Sequence, residues 1–328
     1  MSILNQVHTD RYSAYHADTI ELAQALPDNS IDYSIFSPPF KSLYVYSNSE
    51  RDMGNARNDD DFWNHYRFLI KEQFRAMKPG RNLSVHCMNL PTSKVRDGFI
   101  GISDFRGDII REYQAAGFIF HSEVCIWKNP VVAMQRTKAL GLLHKQIKKD
   151  SAMSRMGIPD TIVTFRKPGE NTGPIEGEFT HYVGDEPAES FVQLTRDDGR
   201  LYYELGEGTS IDVWQRYASP IWHDINQSNT LNGWRNGRDQ DDERHICPLQ
   251  LDVIERCLQL WTNEGDVVWS PFMGIGSEGY VSLQLGRRFI GVELKESYFD
   301  LAVSNLKNVC AYGVADEDQL DLFPRDAA

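Results

Sequence analysis

At 328 residues, 41% of them hydrophobic and 25% charged, the chain can bury one substantial core with room for a smaller insert. No apolar run approaches bilayer-spanning length, and Met1 to Asp10 lacks the basic-then-apolar layout of a secretory leader. Five cysteines lie far apart without a Cys-x-x-Cys pair, which argues against a zinc site or a disulfide framework and for a reducing cytoplasm. A net charge of −13 means that any contact with a polyanion has to come from basic residues gathered locally.

In chain order, residues 13–26 read as a short strand and a helix, closed by the turn cluster Pro27-Asp28-Asn29-Ser30. Ile31 to Phe36 is an apolar-rich run that suits a buried strand, and it stops at two prolines that cannot donate ladder hydrogen bonds. A helix over about 59–77, a strand from Asn82 to His86, a helix over 104–116 and a strand from Phe118 to Trp127 follow. This alternation predicts a parallel α/β sheet. Residues 168–212 break the rhythm with glycine, proline and acids and are the candidate for an inserted subdomain. Pro248 then opens a helix with Leu251, Ile254, Leu258 and Trp261 on one face. Val267 to Trp269 reads as a strand, followed by a glycine-bearing loop, a helix over 277–285 and the strand Arg288 to Glu293.

Two motifs carry chemistry. Phe272-Met273-Gly274-Ile275-Gly276 stands between a strand and a helix, where residues lacking a Cβ let the backbone approach a ligand, and Glu293 ends the next strand, placed to accept from ribose hydroxyls. This suits any nucleoside cofactor. Gly274, Gly276 and Gly279 also fit the Gly-x-Gly-x-x-Gly dinucleotide pattern, so the loop alone leaves a nicotinamide-dependent oxidoreductase open. The second motif, Ser37-Pro38-Pro39-Phe40, follows the first buried strand, and strand ends distant in sequence can meet at one crevice of a doubly wound sheet.

Together these stretches resemble the DNA N4-cytosine/N6-adenine amino-methyltransferases. Ser37-Pro38-Pro39-Phe40 looks like their catalytic tetrad and Ser270 to Ser277 like their cofactor loop, in the permuted order of the β class. Asp18 to Ser30, Met77-Lys78-Pro79-Gly80, Trp127-Lys128-Asn129-Pro130 and Gly286 to Tyr298 match further landmarks, so the resemblance covers most of residues 13–309. Two departures stand out: Ser270 replaces the usual Asp of Asp-Pro-Phe near the methionine end of the cofactor, and Arg81 stands where glycine is common.

The resemblance implies a Rossmann-like, circularly permuted fold dependent on S-adenosyl-L-methionine, with an inserted target-recognition region. Residues 1–130 would form the catalytic part, 131–222 the recognition region, 223–310 the cofactor-binding part and 311–328 an acidic tail. Asp18, Phe272, Gly274, Gly276, Ser277 and Glu293 would hold the cofactor, with Asp18 facing its adenine. No metal is implied. An exocyclic base amine is a poor nucleophile, and acceptors for its N–H groups, the Ser37 hydroxyl and Pro38 carbonyl, stabilise the charge that develops as it attacks a sulfonium methyl. Phe40 offers a stacking face, and the base has to be flipped from the duplex. No Pro-Cys dipeptide of the C5-cytosine type occurs. Serine at the first tetrad position favours cytosine N4 over adenine N6.

Double-stranded DNA is the expected partner. The acid-free basic stretch carries Arg136, Lys138, Lys145, Lys148 and Lys149, with Lys128 and Arg155 flanking it and His144 inside it. It falls at the start of the recognition span, where it would meet phosphates or base edges. Lys41 to Asn58 reads as a polar loop able to close over a flipped base. In the tail, Gln319-Leu320-Asp321-Leu322-Phe323 resembles the short peptide with which bacterial proteins dock on the DNA sliding clamp. The departure at Ser270 keeps open a non-catalytic DNA-binding module.

Overall fold

The computed structural model describes residues 3–40, 59–137, 139–188, 191–205, 208–231 and 248–312. Strand β1 (Ile3–His8) folds back on β2 (Tyr12–Ala17). Helix α1 (Thr19–Ala25) starts at Asp18, whose carboxylate accepts from the amides of Ile20 and Glu21. In β3 (Tyr33–Phe36) every residue is buried. Helix α2 (Asp59–Ala76) carries Asp59, Asp60 and Asp61 at its positive N-terminal end and buries Phe62, Tyr66, Leu69 and Ile70. β4 (Asn82–Cys87), the short pair β5 (Leu90–Pro91) and β6 (Ile102–Ser103) around α3 (Lys94–Asp97), and α4 (Phe105–Ala115), capped by Asp104, lead to β7 (Ile119–Ile126).

After β7 come α5 (Pro130–Thr137), α6 (Gln146–Lys149) and β8 (Asp160–Arg166). The hairpin β9 (Phe191–Thr195) and β10 (Leu201–Leu205) precedes α7 (Ser210–Tyr217), which a Thr209–Asp212 capping box opens, and β11 (Ile221–Trp222). The chain continues through α8 (Leu251–Trp261), β12 (Val267–Ser270), α9 (Ser277–Gln284), β13 (Arg288–Glu293) and α10 (Glu296–Tyr312).

One sheet runs β1-β2-β13-β12-β3-β4-β8-β7-β11. The expectation of a parallel sheet needs correcting, because β8 is antiparallel to both β4 and β7, and β1 is antiparallel to β2. The reason is local: residues 127–159 leave β7 and return at the same sheet edge, so β8 has to run backwards. This strand lies inside the span expected to read DNA, yet Ile162, Val163 and Phe165 are wholly buried in the sheet.

The sheet separates two cores. Tyr33, Ile35 and Val268 pack with Ile254 and Leu258 of α8, Val281 of α9 and Leu306 of α10. Phe36, Val85 and Trp269 pack with Leu69 and Ile70 of α2 and Ile109 of α4. Arg81, the departure from glycine, donates to Asp32 O at 3.1 Å and Gly173 O at 2.9 Å and pairs with Asp266. It thereby ties the entry of β3 to the turn before β12. Arg256 is wholly buried, pairs with Asp224 at 3.2 Å, donates to Val183 O, and lies over the rings of Tyr217 and Trp222. That guanidinium ties Val183, Tyr217, Trp222 and Asp224 to α8.

Candidate active site

Strands β3 and β12 are parallel neighbours, with Trp269 opposite Ser34 and the Ser34 hydroxyl donating to Trp269 O at 2.8 Å. The tetrad follows β3 and the glycine loop follows β12, so both emerge at one edge of the sheet. Their aromatic flanks touch, with Phe36 and Phe272 ring centroids 5.8 Å apart. From this pair the order of connection runs outward both ways, through α9 to β13 and through α2 to β4, which makes it the topological switch point where open α/β sheets bind ligands.

On the tetrad side, Ser37 Oγ lies 2.8 Å from His86 Nδ1. His86 Nε2 is 3.3 Å from Asp160 Oδ2, within ion-pair reach but off-line for a hydrogen bond. Asp160 Oδ1 is 2.5 Å from Lys128 Nζ. Burial by itself would raise the Asp160 pKa, but His86 and Lys128 overcome it and hold the carboxyl at about 2. Four strand ends supply this array: β3 gives Ser37, β4 His86, β8 Asp160, and β7 is followed by Lys128. The motif reading found Ser37 alone and treated Lys128 as a flank of the basic stretch. His86 and Asp160 carry no local signal, because each is one polar residue at the end of an ordinary strand. Pro38 and Pro39 are buried, and half-buried Phe40 meets Phe105 edge-on at 5.9 Å.

On the loop side, Glu293 accepts from the amides of Gly274 and Lys295, each at 2.9 Å. Gly274 has φ +54°, and a Cβ there would point into open space. Gly276 has φ +90°, and a Cβ there would lie 3.2 Å from Ala302 Cβ, so only glycine turns there without strain. Ser277 is buried at the start of α9, and Phe272 lies half-buried against Phe36. Asp18 follows β2, whose His16 pairs with Glu293, so the two carboxylates share one edge, although Asp18 Oδ1 is engaged as the cap of α1. The Ser270 hydroxyl, wholly buried at the end of β12, has no hydrogen-bond partner among the described residues. An open glycine turn, an unfilled hydroxyl and a carboxylate one strand away fit an extended polar nucleoside cofactor.

The connection 127–159 carries the basic residues. His144, Lys145, Lys148 and Lys149 are exposed on and beside α6, close in the chain to the edge that bears Asp160. The Arg155 guanidinium is partly buried, which lowers its pKa, and it donates to Met156 O at 3.1 Å. The Arg136 side chain, Lys138, the loop 41–58 and the clamp-like residues Gln319 to Phe323 lie outside the described residues. Among the described residues no helix is long and apolar enough to cross a membrane, and no His/Cys/Asp/Glu cluster suits a metal.

Residues 31–304 match the model of the N6/N4 DNA methylase family. The chain is 44% identical over 291 residues to the orphan methyltransferase M.BamHII of Bacillus amyloliquefaciens, covering 88% of this chain and 92% of that one. It is 30% identical over 318 residues to the type II methyltransferase M.Cfr9I of Citrobacter freundii, covering 89% and 87%. A Thermus thermophilus protein described as a DNA modification methylase, solved with S-adenosyl-L-methionine, superposes with a TM-score of 0.60 at 21% identity, over 92% of this chain and 94% of that one. The chain therefore belongs to the N6/N4 DNA methylase family, the S-adenosyl-L-methionine-dependent amino-methyltransferases that its motifs resemble, and has their Rossmann-like fold.

Proposed function

We propose that the protein methylates the N4 amine of a cytosine flipped out of duplex DNA. The observation that carries this reading is the placement of the Ser37 hydroxyl against His86 at the switch point, one strand from the glycine loop. When bound, S-adenosyl-L-methionine supplies a methyl group activated by its sulfonium. Glu293 would hold the ribose, Asp18 the adenine side, and Phe272, Gly274, Gly276 and Ser277 the walls between.

The tetrad does the rest. With Nδ1 of His86 unprotonated and its Nε2–H turned to Asp160, the Ser37 O–H donates to His86 and leaves its oxygen lone pairs for the target amine. The Ser37 oxygen and the Pro38 carbonyl accept the amine N–H groups, which localises the nitrogen lone pair and stabilises the positive charge formed on methylation. The amine then sheds a proton through Ser37 to His86, and ionised Asp160 favours the resulting imidazolium. Lys128 keeps Asp160 in place.

Lys145, Lys148 and Lys149 would meet DNA phosphates, with His144, Arg136, Lys138 and Arg155 close to them in the sequence. Serine at position 37 supports cytosine over adenine. Mass spectrometry of nucleosides from methylated DNA tests the choice: N4-methylcytosine is expected, and N6-methyladenine would move the assignment to the other base of the family.

A further inference from the structure

Glu278 stands in the first turn of α9, is 4% exposed, and among the described residues its carboxyl takes a hydrogen bond only from its own backbone amide. A buried carboxylate with no partner side chain is costly, and nothing in the reaction described above uses it. Its position is defined by the packing around it. Val268 and Val281 belong to one core cluster. Ser270 lies on the same face of β12 as Val268, two residues nearer the active edge. Glu278 lies on the same side of α9 as Val281, one turn nearer that edge, because α9 runs back from the loop. Ser270, which ends β12, and Glu278, in the first turn of α9, thus flank the Gly274–Gly276 turn from its two ends, on the side of the Val268–Val281 core.

The neighbouring groups are otherwise committed. Glu293 of β13 is the charged group that acts on Glu278, and it repels it. Asn305 of α10 donates to Ile275 O, Arg256 of α8 pairs with Asp224, and Asp252 of α8 accepts from Asn226 and Asn229. None of these groups sets a cation against Glu278. Strand β12 lies between β13, whose Glu293 suits a ribose, and β3, whose Ser37 faces the transferred methyl. With the ribose at Glu293 and the transferred methyl directed to Ser37, the cofactor's amino-acid chain would fall over β12.

We propose that Glu278, together with Ser270, forms the subsite for the α-ammonium group of the cofactor's methionine end. This moves to α9 the acid that the sequence lacks at position 270, and it rests on the cofactor pocket described above. Burial and then Glu293 push the Glu278 carboxyl up to about 8, so without ligand it is protonated at neutral pH. An ammonium beside it favours the ionised form, and one proton leaves to solvent as the ligand binds.

Calorimetry of S-adenosylhomocysteine binding to the wild-type protein near neutral pH, in buffers of different ionisation enthalpy, reads that proton directly. Release approaching one proton is expected, with none for 5′-methylthioadenosine, which lacks the amino-acid chain. Glu278→Gln should weaken S-adenosylhomocysteine binding about tenfold or more, the scale of a charge-assisted hydrogen bond, and leave 5′-methylthioadenosine unaffected. Adding Ser270→Asp to that variant should recover part of the loss. Binding without proton release, or equal effects of Glu278→Gln on both ligands, overturns the role of Glu278 and leaves the pocket standing. Failure of the wild-type protein to bind either ligand overturns the pocket itself.

Discussion

Ser37 and His86, 49 positions apart in the chain, are joined by a 2.8 Å contact between Oγ and Nδ1. In the proposed tautomer, with Nδ1 accepting, that contact makes a proline-rich turn chemically directional, because the serine then presents its lone pairs elsewhere. His86→Ala should lower single-turnover methyl transfer by about 10²-fold, the lower range for a positioned acid–base group. Binding of S-adenosylhomocysteine should stay within about twofold. An unchanged transfer rate would reduce His86 to a packing residue.

Asp160 tests the far end of the same array through stability. Its carboxyl is held at about 2 against an ordinary 3.8, so its contribution is present above 3.8 and is lost as pH falls towards 2. Urea unfolding of the wild type and Asp160→Asn should differ near neutral pH, with the gap closing below about pH 3.8. A gap constant through that window would mean that His86 and Lys128 do not stabilise the charge.

Arg256 should behave as a structural pin. Arg256→Ala leaves Asp224 buried without its countercharge, and loss of one partner of a buried pair costs about 3–5 kcal/mol. Chemical denaturation reads this directly. A loss under about 1 kcal/mol would show that solvent reaches Asp224 readily.

The DNA-contact reading makes a salt prediction. Replacing Lys145, Lys148 and Lys149 with alanine should weaken duplex binding and reduce the slope of log affinity against log salt by about 2–3, at roughly 0.9 for each phosphate that is no longer neutralised. Binding of S-adenosylhomocysteine should not change. An unaltered salt slope would place the DNA on another face.

Much of the fold was legible because its signals are local. Two prolines end β3, Pro248 precedes α8, and a glycine turn joins β12 to α9, so each boundary is written in a few adjacent residues. β8 escaped because its strand-like run, Asp160 to Arg166, sits in a span whose family role suggested recognition rather than core. The candidate site divides in the same way. Ser37 and Gly274 belong to contiguous motifs, whereas His86, Asp160 and Lys128 meet only through the β4–β8–β7 pairing. Arg81, an oddity in sequence, acquires its reason from three partners brought to it by other segments.

The central claim is that the Ser37 oxygen holds the target amine beside the methyl donor. Single-turnover transfer by Ser37→Ala, measured alongside its affinity for S-adenosylhomocysteine, examines that claim most directly. The rate should fall by about 10²-fold or more with affinity unchanged within about twofold, as for loss of a group that acts in the transition state. Transfer at the parental rate would contradict it.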